Sequence, residues 1–288
     1  MRKVLWCLCR LLSVSLLLWT NVCFAGIDFD GVDDFVNVSS VWNATQDYSI
    51  FIVARKEEAN RTQGVYANTQ SWGDFGIACT SGNILRHSTF GYADHDSNIT
   101  WNINKWVAIV ITGDKGNSSS GLTFYYRELD SSTITTYNRS WDDRGDTKTV
   151  AGYIGRNQFG EYFNGQIAEV CIWGNRLLMD AQARQLLSSY SKGFARQMYP
   201  ADIKEYWLLD DQPDGTSGDG DTFKDISGNG KNGTGDNGGN NTGLAMAAEQ
   251  VLSYPDFVQF VNYNTVVAAA DVYSGRGVGR GVGRGIMR

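Results

Sequence analysis

The sequence predicts an all-β protein, two antiparallel sheets packed as a sandwich with one short helix. Three observations predict it. Short apolar runs recur at intervals of roughly ten residues between clusters of Gly, Asn, Asp and Ser, the pattern of a sandwich or barrel. Those runs are rich in β-branched and aromatic residues. Only one stretch carries a convincing helical period. The composition agrees: 42% of the 288 residues are hydrophobic and 19% charged, with 33 Gly and only 3 Pro. That excludes a disordered or collagen-like chain, and there are no repeated apolar spans of roughly 20 residues to suggest a polytopic membrane protein.

At the start of the chain, residues 1–25 have a charged end (Arg2, Lys3), an apolar stretch from Leu11 to Trp19 and a small-residue exit at Ala25 before Gly26, the layout of a secretory signal peptide. Arg10 leaves the apolar run too short to span a bilayer, so no transmembrane anchor is expected and the mature protein is placed outside the cell or on its surface. Removal of the signal leaves Cys79 and Cys171, either as one disulfide or as two half-buried thiols.

Residues 26–255 form the expected domain. Ser49 to Ala54 (SIFIVA) and Trp106 to Thr112 (WVAIVIT) are apolar on both faces, as central strands covered on each side are. Leu122 to Tyr126 (LTFYY) makes a third core strand. Gly165 to Trp173 (GQIAEVCIW) alternates, with Ala168, Val170 and Ile172 on one face and Ile167, Glu169, Cys171 and Trp173 on the other. A helix starts with Asp180 as N-cap, carries Ala183, Leu186, Leu187 and Tyr190 on one stripe and closes at Gly193, a flap on the edge of the sandwich. Residues 212–243 are mostly loop, anchored by Phe223 and Ile226. Residues 256–288 are a C-terminal extension ending in a flexible Gly-Val-Gly-Arg tail.

Charge narrows the partners. Residues 1–25 carry +3 and residues 271–288 carry +3, which leaves −12 of the formal −6 for residues 26–270. A body so acidic is a poor general binder of nucleic acid, whose phosphates need Lys and Arg.

Several segments resemble, in order, the LamG-like jelly-roll domain of the concanavalin A-like lectin and glucanase superfamily. They are Phe29 to Val36 (FDGVDDFV), Tyr48 to Arg55 (YSIFIVAR), Asn104 to Thr112 (NKWVAIVIT) and Leu122 to Glu128. Ile154-Gly155-Arg156 with Phe163 to Trp173 (FNGQIAEVCIW), then Tyr206 to Asp210 with Asp225 to Gly230 (DISGNG), complete the series. The resemblance spans nearly all of residues 27–234 and implies a jelly roll with no second domain; Cys171 departs from it, standing where a polar residue is usual.

The superfamily's glucanases keep two Glu around an Asp, E-x-D-x-x-E, on one strand to flank a glycosidic bond. This chain has no such run, and Glu169 is a lone acid on its strand, so no catalytic residues are expected. The two histidines, His87 and His95, lack the partners of a catalytic or zinc site, and Ala93-Asp94-His95-Asp96 reads as a solvated loop. The resemblance implies Ca²⁺ as the candidate metal, a hard ion suited to the oxygen donors of Asp28, Asp30, Asp33 and Asp34 at the first turn. Asp210, Asp225 and Asn229 join them if the first and last strands pair. Sugar rings need aromatic faces on a rigid scaffold, and Trp72, Tyr92 and Trp141 lie in polar, loop-like segments that offer them. The expected function is an exported, non-catalytic module recognising a carbohydrate or surface polymer; the alternatives are an adhesion or surface-assembly protein with a protein partner and a glycoside hydrolase with unrecognised acids.

Overall fold

The computed structural model describes residues 21–38, 46–70, 73–89, 93–141, 152–157, 159–210, 217–237 and 245–253. The chain divides into two units, Met1–Thr20 with Ser253–Arg288, and Asn21–Leu252. Most of the signal segment and the whole C-terminal extension lie outside the described residues, and the sandwich is the unit Asn21–Leu252.

Strands β1 (Asn21–Asp30), β2 (Phe35–Val38), β3 (Tyr48–Lys56), β4 (Gln63–Gln70), β5 (Gly73–Cys79), β6 (Ile84–Thr89) and β7 (Ala93–Thr100) form the first half. β8 (Trp106–Gly113), β9 (Leu122–Glu128), β10 (Thr135–Arg139), β11 (Gly152–Ile154) and β12 (Asn164–Gly174) precede the helix α1 (Asp180–Ser188). β13 (Ile203–Trp207), β14 (Thr222–Phe223), β15 (Gly233–Asp236) and β16 (Ala245–Ser253) complete the order. Sheet I runs β10-β9-β8-β3-β12-β1-β16 with β13 also on β12; sheet II runs β14-β15-β2-β11-β4-β5-β6-β7. β3 pairs along one flank of β12, while β1 takes Asn164 to Ile167 on the other flank and β13 takes Val170 to Trp173. The protein is thus an all-β, two-sheet antiparallel sandwich with one α-helix among the described residues.

The ends of the shell meet. β15 pairs with β2, Gly233 opposite Val38 and Asp236 opposite Phe35. β1 includes the bond expected to be cleaved after Ala25, and its register with β12 runs from Ile27 to Asp30.

β3 and β8 are buried along nearly their whole lengths, as two-faced apolar strands require. Their inward faces (Ile50, Ile52, Ile109, Ile111) join Val36, Ile77, Ile154 and Trp207 in the inter-sheet core. Their outward faces are covered by α1, whose Ala183, Leu186 and Leu187 are buried, and Tyr190 just after it packs on Phe51 at 5.7 Å between ring centroids. So α1 lies over the face of sheet I, against β8 and β9, and not at its edge, because that face is apolar and needs a cover. Its N-cap is Met179, whose extended backbone N–H donates to Gln182 Oε1 at 2.9 Å; Asp180 is the first helical residue and pairs with Arg184 a turn on. The helix stops at Ser188, short of Gly193.

Two further expectations are corrected. In β12 the register slips between Ile167 and Glu169, so Ala168 is a bulged extra residue. The bulge puts Ile167 on the same core face as Val170 and Ile172, where strict alternation would have set it opposite them. Ala93 to Asp96 is strand β7 and not a loop: His95 is buried opposite His87, while Asp94 and Asp96 turn outward onto Arg86. Cys79 and Cys171 are both free and buried. Cys79 belongs to the inter-sheet core, whereas Cys171 is on the opposite side of β12 from Val170 and Ile172, so sheet I separates the thiols.

Candidate functional site

The first turn gathers three of the expected metal ligands. Asp30, Asp33 and Asp34 offer carboxylate oxygens that all lie within 4.8 Å of one another. The turn holds itself by local bonds: Val32 N–H donates to Asp30 Oδ1 at 2.7 Å and Asp30 N–H to Asp34 Oδ2 at 2.9 Å, with Gly31 in the left-handed region. Asp34 is fully buried, and its Oδ1 has no hydrogen-bond partner. Burial, with the charges of Asp30 and Asp33 beside it, pushes the Asp34 carboxyl up to about 7. An orphaned buried acceptor facing two further carboxylates fits a hard cation.

The other four expected ligands serve elsewhere. Asp28 lies on β1 opposite Gln166, near Arg55 and Glu57, and burial lifts it to about 6. Asp210 pairs with Lys192 at 2.8 Å. Asp225 accepts from the backbone N–H groups of Tyr206, Ser227 and Lys231, and Asn229 Nδ2 donates to the carbonyls of Ile203 and Lys204. These two stitch the DISGNG turn to β13. Of the expected sugar platforms, Trp72 and Tyr92 lie outside the described residues, and Trp141 is 2% exposed in the core, edge-on to Tyr48 at 5.5 Å. The face of Trp141 is therefore closed to a ligand.

The buried ionisable groups are structural. Glu169 is fully buried and accepts from Tyr206 O–H at 2.5 Å, Tyr190 O–H at 2.9 Å and Gly193 N–H at 3.4 Å. A substrate cannot reach it. His87 Nδ1 donates to Gly76 O at 2.7 Å, so its Nε2 accepts from Tyr48 O–H at 2.5 Å; burial holds its ring pKa down to about 3, and the ring stays neutral.

A recess that the sequence did not disclose opens where the edge strands of the two sheets meet. Arg139 of β10 ties them together, donating to Asp96 O of β7 at 2.6 Å. The recess has a volume of about 220 Å³ and is walled by Asn98, Thr100, Asn102, Tyr126, Glu128 and the hydroxyls of the β9–β10 connection. Ile99 is its only aliphatic wall among the described residues. Asn102 Nδ2 donates to Glu128 Oε1 at 2.6 Å, and Tyr126 O–H reaches the same oxygen at 3.5 Å. Burial and the Glu128 charge push the Tyr126 phenol up, keeping it a donor. Amides, hydroxyls and the Glu128 carboxylate in this wall can exchange hydrogen bonds with a polyhydroxylated ligand. These residues were hidden because Asn, Thr and Ser in a β protein read as turn formers, and only the packing of β7 against β10 across the two sheets brings them together.

No protein-family model matches the chain, and no curated protein matches it. Solved structures do. One is a candidate carbohydrate-binding protein from Bacteroides ovatus, with a TM-score of 0.52 and 16% identity over 82% of this chain and 61% of that one. At that identity the likeness is one of fold. A heptameric SAP-like pentraxin from Limulus polyphemus (TM-score 0.44, 10% identity, 58% of this chain and 83% of that one) is more distant. So is domain 4 of AbnA, a GH43 arabinanase from Geobacillus stearothermophilus solved with arabinotriose (0.41, 12%, 57% and 87%). This chain spans about three fifths of the Bacteroides structure's length.

Proposed function

We propose that this protein is an exported, non-catalytic module that binds a carbohydrate or surface polymer in the recess beside Tyr126 and Glu128, with Ca²⁺ held at Asp30, Asp33 and Asp34. The observation that carries the reading is the polar lining of the recess, in which Glu128 is already oriented by Asn102. The carbohydrate-binding description of the Bacteroides protein, which shares the fold, supports it. No helix among the described residues is long and apolar enough to cross a membrane, which is compatible with an exported protein. Screening the folded protein on a broad glycan array, with and without Ca²⁺, tests the reading. Binding to a related set of glycans is expected. Silence on every glycan, or capture of a surface protein that free sugars do not compete away, refutes it, the second outcome favouring the adhesion alternative.

The metal has its own test. A cation that binds only the folded state stabilises it by about 2.7 kcal/mol at a hundredfold excess over its dissociation constant. Millimolar CaCl₂ is therefore expected to raise Tm by several degrees, and Asp34→Asn, which keeps an acceptor for Asp30 N–H, is expected to abolish the rise. An unchanged Tm in the wild type, or an equal rise in both proteins, removes calcium from the account.

A further inference from the structure

We propose that Arg156 forms a carboxylate-binding subsite on the outer face of sheet II, so that the glycan taken by this protein is an acidic one. The inference rests on the carbohydrate reading above. Tyr153 of β11 stands opposite Asn37 of β2, which stands opposite Thr234 of β15, so the three share a face of the sheet. Asn37 and Thr234 are exposed, and Val36 and Val38, which flank Asn37 in β2, are core residues, which makes this the outer face. Phe35 meets Tyr153 edge-on, with centroids 5.4 Å apart and planes at 87°. The Arg156 guanidinium carbon sits in the angle of that pair, 4.0 Å from the Phe35 centroid and 3.8 Å from the Tyr153 centroid, with Tyr162 at 5.9 Å.

The rings hold the cation in place, yet the protein gives it little to bond. Nη1 reaches Tyr162 O–H only at 3.5 Å, and the buried Nε has no acceptor. Several other arginines are matched with acids, Arg55 with Glu57, Arg86 with Asp94 and Asp96, Arg176 with Asp202 and Arg184 with Asp180, while Arg127 and Arg139 bond backbone carbonyls at 2.7 Å or less. Arg156 pairs with no carboxylate among the described residues, although residues 26–270 carry a formal −12. An arginine placed for structure alone gains by taking such a partner, and leaving a buried donor unmet is costly. A guanidinium stacked on rings is pre-organised, and its remaining N–H groups point along its plane, matching a carboxylate. Beside it, the half-buried Tyr153 and Tyr162 offer ring faces to a sugar and Asn37 an amide to its hydroxyls. A sugar bearing a carboxylate, such as a uronate, matches these groups, its carboxylate bonding the Nη N–H groups while its ring and hydroxyls meet Tyr153, Tyr162 and Asn37.

The test compares oligogalacturonate with its methyl ester, and sialyllactose with its methyl ester, by calorimetry on the wild-type chain. These arms need no mutant. One of the two acids is expected to bind about tenfold or more tightly than its ester, the size of a charge-assisted hydrogen bond, and the arms show which source supplies the carboxylate. Arg156→Gln, checked for an intact cooperative melt, is expected to erase the preference, and Arg156→Lys to keep part of it. Equal binding of acid and ester, or an undiminished preference in folded Arg156→Gln, overturns the subsite and leaves the carbohydrate reading standing. Failure to bind any glycan, acidic or neutral, overturns both.

Discussion

Gly165→Ala is expected to destabilise the protein by about 4 kcal/mol, combining backbone strain with a steric clash in the middle of sheet I. Gly165 has φ +135, a conformation that side chains rarely tolerate, and it pairs with Lys56 of β3 on one flank and Phe29 of β1 on the other. A Cβ there meets Arg55 O at 2.1 Å, so β3 has to move or part from β12. Equilibrium urea unfolding measures the loss. Gly193→Ala is the control. Gly193 also has a positive φ, +82, but a Cβ there meets nothing within 4 Å, so only backbone strain of about 1 kcal/mol is expected. Similar losses at both positions show that the clash with β3 is not what makes Gly165 indispensable.

Glu169 sets the second large effect, a dependence of stability on pH. Burial beneath the cover of sheet I pushes its carboxyl up to about 7 from an ordinary 4.5, against the opposing pull of the Tyr206, Tyr190 and Gly193 donors and of Lys192. The folded protein therefore holds a proton that the unfolded chain has released. Stability is full below about 4.5, falls as pH rises towards 7 and levels off above it, by about 3 kcal/mol in total. Glu169→Gln keeps the shape and can still bond both tyrosine hydroxyls. Its denaturation midpoints are expected to match the wild type near pH 4 and exceed it at pH 8. Asp28 and Asp34, also pushed up, contribute to the slope of both proteins, so the difference between the two curves isolates Glu169. Parallel curves across that range contradict the assignment.

Residues whose role is set locally were legible in the sequence. SIFIVA and WVAIVIT became β3 and β8 because an apolar strand without polar alternation has only one place to go, between two covered faces. The FDGVDD turn could be read as a cluster of acids because its three carboxylates are near one another in sequence as well as in space. What failed depended on register or distant pairing. The Ala168 bulge adds one residue and reverses the faces on either side of it, which alternation cannot reveal. The expected union of Asp225 and Asn229 with the first turn was half right. β2 and β15 do pair, but the Asp225 carboxylate and the Asn229 amide are consumed in bonding their own turn and β13. Trp141 read as a loop aromatic because its sequence neighbours are polar, yet its ring fills a gap beside Tyr48 in the core. The recess and the Arg156 cluster are each assembled from segments far apart in the chain, and no local pattern marks them.

Glu128 provides the most direct test of the central claim, that the recess binds a glycan and does not cut it. Calorimetry with a glycan identified on the array, run on wild-type protein and on Glu128→Gln, is paired with a count of new reducing ends in the same samples. Saturable binding by the wild type is expected, weakened about tenfold to a hundredfold by loss of the charged acceptor, with no new reducing ends in either. Equal affinity in the two proteins, or steady release of reducing ends by the wild type, contradicts it.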